Sequence, residues 1–345
     1  MTNKHTGDLH CHLNGSFSLA FLEHIAKKNN CVELYEELIR VRSEYLKNTI
    51  QQPESGYSNE LIAVIWKQFG LVHKIIQTLA DISDGVVDVV RSSKAKYLEI
   101  RTTPKEMEHQ TRDKYIDAFV SGLTQANQQI THKKAVGLLS LDRTIHTLED
   151  ANYFIDRILK SPNKVLVGLD VSGNPVANRT LAGEDLTKLV HLALDKGIAI
   201  AIHVGESDSA RERQDTDAVL TALEQWKSLH SIEDKNPLHG KVRLGHCIFL
   251  TQEQKDRIKK LGIPIEVCPS CHSKLNWHLE KEPHPATSIY QDLSEPIVLG
   301  TDDELIFDGS VKDEFNRLLS FFANKEQLSR KQLKEHQSSF RFSNN

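Results

Sequence analysis

Cysteine is scarce in these 345 residues, with five in all: Cys11, Cys31, Cys247, Cys268 and Cys271. So low and odd a count argues against a disulfide framework and fits reduced thiols in a cytoplasmic protein. No apolar run is long enough to span a membrane, and residues 1–7 are polar with no signal-peptide core, so neither a membrane nor an export route is expected. A surplus of positive charge is missing too. The formal net charge is -4, with 43 Lys and Arg against 47 Asp and Glu, which argues against a nucleic-acid partner. There is no internal repeat and no low-complexity tract. No glycine-rich loop follows the first strand-like run, which counts against a nucleotide-binding doubly wound sheet.

What is there is the composition of a soluble globular protein, 39% hydrophobic and 26% charged. Short β-branched runs alternate with amphipathic stretches. Strands are expected at about 7–13, 96–103, 135–142, 165–172, 198–205, 242–247, 264–269 and 296–302. Helical patterns fall at 111–131, 147–160, 184–196, 214–229 and 251–261. Several strands are near-continuous apolar runs, as parallel strands buried on both faces are. Eight strands alternating with helices predict an α/β fold, a (β/α)8 TIM barrel spanning 1–345 as one domain. Residues 17–94 hold more helix than one crossover needs, with a polar break at 51–59. They are expected to form a helical insertion after strand one, a lid or pocket wall. The charge-rich tail after about 309 is expected to be helical and to pack on the barrel's outside.

The polar residues gather at strand ends. In "DLHCHLNG", His10 and His12 share one strand face while Leu9, Cys11 and Leu13 take the other. Two imidazoles so placed can share a metal ion; alone, the pair also suits a half-exposed strand of ordinary histidines. Strand five ends in "HVGE" (His203, Glu206), strand six in "GHC" (His246) and strand eight in "TDD" (Asp302, Asp303). In a barrel these ends meet at one mouth, where active sites sit. His10, His12, His203 and Asp302 offer three nitrogens and one oxygen, a set suited to zinc and tolerable for other divalent ions. Such a metal lowers the pKa of a water toward neutrality. His246 and Asp302 could accept that water's proton, and Glu206 is free to act as an acid.

With "HCHLNGS", "LEIRTTP", "GLDVSGNP", "HVGE", "GH" and "TDDELIF" in this order, the chain resembles the adenosine deaminase family of metal-dependent hydrolases from His10 to beyond Phe307. The resemblance implies one zinc ion, Zn(2+), per chain, held by His10, His12, His203 and Asp302. It implies that Glu206 protonates purine N1, that His246 orients and deprotonates the water, that Asp303 holds N7 and that the N–H of Gly173 bonds N3. His12 would also border the substrate. Asn14 stands where the classical enzymes carry Asp, near the ribose 5′ end, and Glu304 stands where many members have Pro. "HLNGS", "LEIRTTP" and "GLDVSGNP" look closer to the adenosine deaminase-like branch, which acts on N6-methyl-AMP; "HVGE" and "DDELIF" look more like the classical enzymes. The implied partner is a small-molecule purine nucleoside or nucleotide, in a monomer or weak oligomer. The alternative is a classical adenosine or adenine deaminase of purine salvage.

"CPSCH", Cys268 to His272, points elsewhere, because C-x-x-C-H is a haem attachment motif and half of some zinc sites. The alternative is therefore a redox or haem protein, but haem attachment happens outside the cytoplasm and no export signal is expected, and no second C-x-x-C completes a four-cysteine zinc site. The H-x-E of cytidine-type zinc deaminases is absent. A catalytically silent relative would have lost a ligand or Glu206, and none is lost. Strand four has no lysine to bridge two metals, which favours one.

Overall fold

All eight strand patterns form strands, and they pair in parallel in chain order. They are β1 (Gly7–His12), β2 (Tyr97–Thr102), β3 (Lys134–Asp142), β4 (Leu166–Ser172), β5 (Ala199–Val204), β6 (Val242–His246), β7 (Ile265–Val267) and β8 (Ile297–Leu299). The structure is a computed structural model that describes residues 7–48, 56–107, 109–230, 236–279, 282–290, 296–321 and 330–342.

The seam between β8 and β1 closes the (β/α)8 barrel at two levels. At the mouth, the N–H of His12 donates to the Asp302 carbonyl at 2.8 Å and the N–H of Asp302 donates to the His10 carbonyl at 2.7 Å. Gly300 permits this approach, since a Cβ there would lie 2.2 Å from His10 Cβ. Lower down, the Gln337 amide donates to the Gly7 and Leu299 carbonyls at 3.1 and 3.2 Å and accepts the Leu299 N–H at 3.2 Å. One side chain thus satisfies backbone groups that the seam would leave open.

Four helices fill the segment between β1 and β2, as the excess of helical pattern predicts: α1 (Leu19–Lys28), α2 (Val32–Asn48), α3 (Asn59–Ile75) and α4 (Leu79–Ser92). Of the polar break at 51–59, residues 51–55 lie outside the described residues; Ser58 caps α3, accepting the Leu61 N–H at 3.3 Å. Thr78 and Asp81 form a capping box on α4. The barrel's outer helices are α5 (Arg112–Gln129), α6 (Leu148–Leu159), α7 (Glu184–Asp195), α8 (Ala210–His230) and α9 (Gln252–Leu261). Short helices α10 (Pro269–Lys274), α11 (Ala286–Ile289) and α12 (Glu304–Phe307) follow β7 and β8.

The tail is helical, as expected, and departs from an outer layer only at its last described residues. After α13 (Val311–Phe321) and α14 (Arg330–Ser339), Phe340 and Phe342 turn into the base of the barrel. They pack there with Leu9, Tyr97, Val136, Val167 and Val298. Above this plug lies a layer of charge. Arg101 reaches Asp170 at 2.9 Å and Glu266 at 2.6 Å; Arg243 reaches Glu266 at 2.6 Å and Glu99 at 2.5 Å. All five side chains are fully buried. Arg243 also stacks over Phe342, 3.6 Å from the ring centroid. A wholly apolar barrel interior would pack as well, so the layer calls for a purpose other than stability.

Candidate active site

The residues singled out at the strand ends converge at the mouth. His10 and His12 close β1, His203 lies one residue before the end of β5, His246 ends β6, and Asp302 and Asp303 follow β8. His246 and Asp302 have φ of 62° and 61°, the left-handed region that costs a non-glycine residue about 1–3 kcal/mol. Both are buried. Strain of this kind persists only where the surroundings fix the side chain in place.

Three imidazole nitrogens and one carboxylate oxygen face one another. His12 Nε2 is 3.2 Å from both His10 Nε2 and His203 Nε2; Asp302 Oδ1 is 3.3 Å from His10 Nε2 and 3.5 Å from His12 Nε2. These four contacts of 3.2–3.5 Å bring the donors close enough to share one small divalent ion. The donors therefore fit the expected ion. His10, His203, His246 and Asp302 also lie together within 4.8 Å, so His246 borders the same point.

Sequence reasoning missed the groups that aim these rings. Glu266 Oε2 lies 2.7 Å from His10 Nδ1, and His203 Nδ1 lies 3.0 Å from the Val171 carbonyl and 3.3 Å from Asp170. Each Nδ1 thus has an acceptor beside it on the barrel side, and both Nε2 atoms face the other donors. The charged layer is this support. Its signal was present as charges in otherwise apolar strands, Glu99 and Arg101 on one face of "YLEIRT" and Glu266 in "IEV".

The acids differ from one another. Burial raises the Glu206 carboxyl above its ordinary range, while Arg143 holds its Oε2 at 2.7 Å. Burial and then the charge of Asp302 raise Asp303 well above the usual range, whereas His10 and the other histidines hold Asp302 well below it. Neighbouring carboxyls pushed apart in this way divide into proton donor and anion. Asp303 Oδ1 is buried without a hydrogen-bond partner among the described residues and rests against Gly15, where a Cβ would clash with it.

A cavity of about 270 Å³ opens over these groups. Gly173, at φ 131°, lines it, and so does α3 through Ile62, Ile65, Trp66, Phe69 and His73, the pocket wall expected of the insertion. Asn14 lines it as well and meets His73 Nε2 at 3.1 Å. The following helix is capped by Ser18, so capping does not account for Asn14. His73 is exposed at the mouth and Lys105 half-buried, and burial lowers the Lys105 amine. Ser16 and Ser18 do not reach the cavity; Ser16 meets Cys11 Sγ, and Ser18 donates to Asp88. Glu304 opens α12 with its carboxyl pushed up to about 7 by burial and Asp8.

The "CPSCH" stretch forms α10 beside the mouth. Cys268 and Cys271 are buried free thiols whose ionisation burial pushes up, the opposite of a reactive redox pair. His272 touches His246, and Cys271 stands with both in a second group of donors.

The adenosine deaminase family model matches residues 6–343. The chain is similar to the N6-mAMP deaminase of Arabidopsis thaliana, 28% identical over 89% of this chain and 84% of that protein. It is also similar to the adenosine deaminase of Lactococcus lactis, 24% identical over 91% of this chain and 82% of that one. In fold it matches a crystal structure of Arabidopsis ADAL complexed with GMP, at a TM-score of 0.75 and 22% identity, covering 99% of this chain and 93% of that one.

Proposed function

The chain belongs to the adenosine deaminase family, hydrolases of C–N bonds, and on that premise we propose that it deaminates a purine nucleoside 5′-monophosphate at C6, with N6-methyl-AMP as the reference substrate. The observation that carries the phosphate is the junction of Asn14, His73 and Lys105 on the pocket wall. Partial burial disfavours the charge on Lys105, and an anion beside it reverses that penalty, while His73 stands exposed at the mouth against Asn14. An aspartate at position 14 would repel a phosphate by on the order of 4 kcal/mol per charge pair at 4 Å and an effective dielectric near 20. Asparagine removes the repulsion and offers an N–H.

The family is metal-dependent, and in this reading His10, His12, His203 and Asp302 hold one zinc ion. When bound, it supplies the Lewis acidity that makes water a nucleophile at neutral pH. The chain's own residues do the rest. Glu206, whose carboxyl burial pushes up, gives its proton to purine N1 as the carbon is attacked. Asp303, whose carboxyl burial and Asp302 push well above its usual range, donates to N7; the Gly173 N–H meets N3. His246 and Asp302 orient the attacking water, and α3 shields the site. Similarity to an N6-mAMP deaminase supports this substrate class, while similarity to an adenosine deaminase keeps adenosine in the comparison.

The test is a panel of 6-aminopurines with and without ribose, 5′-phosphate and N6-methyl, followed by ultraviolet absorbance. Zinc-loaded enzyme is expected to convert the monophosphates, and chelator-stripped enzyme to convert none. Full turnover by metal-free protein would refute the site.

A further inference from the structure

Behind the pocket, three histidines form one hydrogen-bonded line. His246 Nδ1 lies 3.0 Å from His272 Nε2, and His272 Nδ1 lies 2.9 Å from His284 Nε2. The far end meets the peptide N–H of Ala286, which donates to His284 Nδ1 at 3.1 Å. All three rings are buried, and His284 is stacked on Phe321 at 4.6 Å. Deamination as proposed above uses His246 but gives no role to His272 or His284.

The line has a direction. A backbone N–H can only donate, so His284 Nδ1 accepts and the ring's proton is on Nε2. That proton is donated to His272 Nδ1, which leaves the His272 proton on Nε2. His272 Nε2–H in turn donates to His246 Nδ1, and the remaining proton of His246 falls on Nε2. That nitrogen is 3.8 Å from Glu206 Oε1, on the pocket side. With the opposite polarity, His284 would have two accepting nitrogens and no proton, an anion buried against Phe321. Burial and the neighbouring histidines hold His272 and His284 well below the ordinary histidine value, so both rings are neutral.

We propose that His272 and His284 are positioning residues that fix the tautomer of His246, so that it faces the substrate as an Nε2–H donor. Which histidine nitrogen carries the proton is set by the bond the other one makes; here that choice passes through two rings from one peptide group. The consequence for the reaction is specific. His246 meets the attacking oxygen as a hydrogen-bond donor, and the acceptor for the water's proton is Asp302. The inference rests on the deaminase reading for its kinetic consequence only.

The tautomer is read directly by long-range 1H–15N correlation on zinc-loaded protein labelled with [15N]histidine, with the His246 signals identified by their loss in His246→Gln. The parent is expected to show the Nε2–H pattern at His246. His272→Phe, which cannot donate, is expected to mix the two tautomers and lower kcat about 10–100-fold, with KM and zinc content little changed. His272→Gln, whose amide can donate to His246 Nδ1, is expected to regain most of the lost kcat and the Nε2–H pattern. A merely structural role would lower stability in both variants and leave the tautomer alone. The inference is overturned by an Nδ1–H pattern in the parent or by full kcat in His272→Phe. It is equally overturned by a second zinc per chain that vanishes in His272→Phe, since the ring nitrogens would then be ligands. Failure of the parent on every 6-aminopurine would remove the deaminase reading, and the spectrum would still decide the tautomer.

Discussion

Glu206 and Asp303 sit where an ordinary carboxyl would be ionised at neutral pH, and burial works against that in both. For Glu206 this is what a general acid requires. A positioned acid is worth about 10²–10⁴-fold, so Glu206→Gln is expected to lose turnover by that factor while keeping zinc and fold, by metal analysis and circular dichroism. Near-normal turnover would place the acid elsewhere. These residues were legible because they end strands: "HVGE" and "TDD" need only the barrel to bring them together. His284 was not legible, because nothing local ties it to His246, 38 positions earlier. The bond from His272 to His284 was not legible either, because no spacing in "CPSCH" points to a residue 12 positions on.

Among the elements, the strands were easy to read because apolar runs of 5–9 residues stand between turns and amphipathic helices. Their ends agree with the structure to within about two residues, except that β7 and β8 are shorter than their apolar runs. The charged layer was harder. Arg101, Arg243, Glu99 and Glu266 each look like an interruption of a strand until the barrel closes and pairs them. A prediction belongs to α13. Its Glu314 accepts the Ser270 N–H at 2.7 Å, at the start of α10, and burial pushes its carboxyl from 4.5 up to about 8. Between those values the unfolded chain has released the proton that the native state keeps, so stability falls as pH rises. Glu314→Gln keeps an acceptor without the charge. Its melting temperature is expected to exceed the parent's by a margin that grows from pH 4.5 to 8. A margin that stays constant with pH would contradict this.

For the whole molecule, base and mouth are one connected structure. Phe342 N–H donates to Glu99 at 2.8 Å, Glu99 pairs with Arg243, Arg243 with Glu266, and Glu266 with His10. Phe342 thus reaches His10 through a hydrogen bond and a chain of buried charges, in which loss of one partner of an ion pair costs about 3–5 kcal/mol. No local pattern announces such a route, because it joins Phe342 to β2, β6, β7 and β1 across the full length of the chain. The pocket at the other end sets what the molecule acts on, and there the phosphate is the point to test. N6-methyl-AMP and N6-methyladenosine differ in that group alone, so the ratio of their kcat/KM values in zinc-loaded enzyme isolates it. Two charge-assisted hydrogen bonds of roughly 1.5 kcal/mol each give a ratio above about 100 in favour of the nucleotide, and Asn14→Asp should pull it down. A ratio at or below about one, with adenosine turned over freely, would contradict the nucleotide pocket and leave a classical adenosine deaminase.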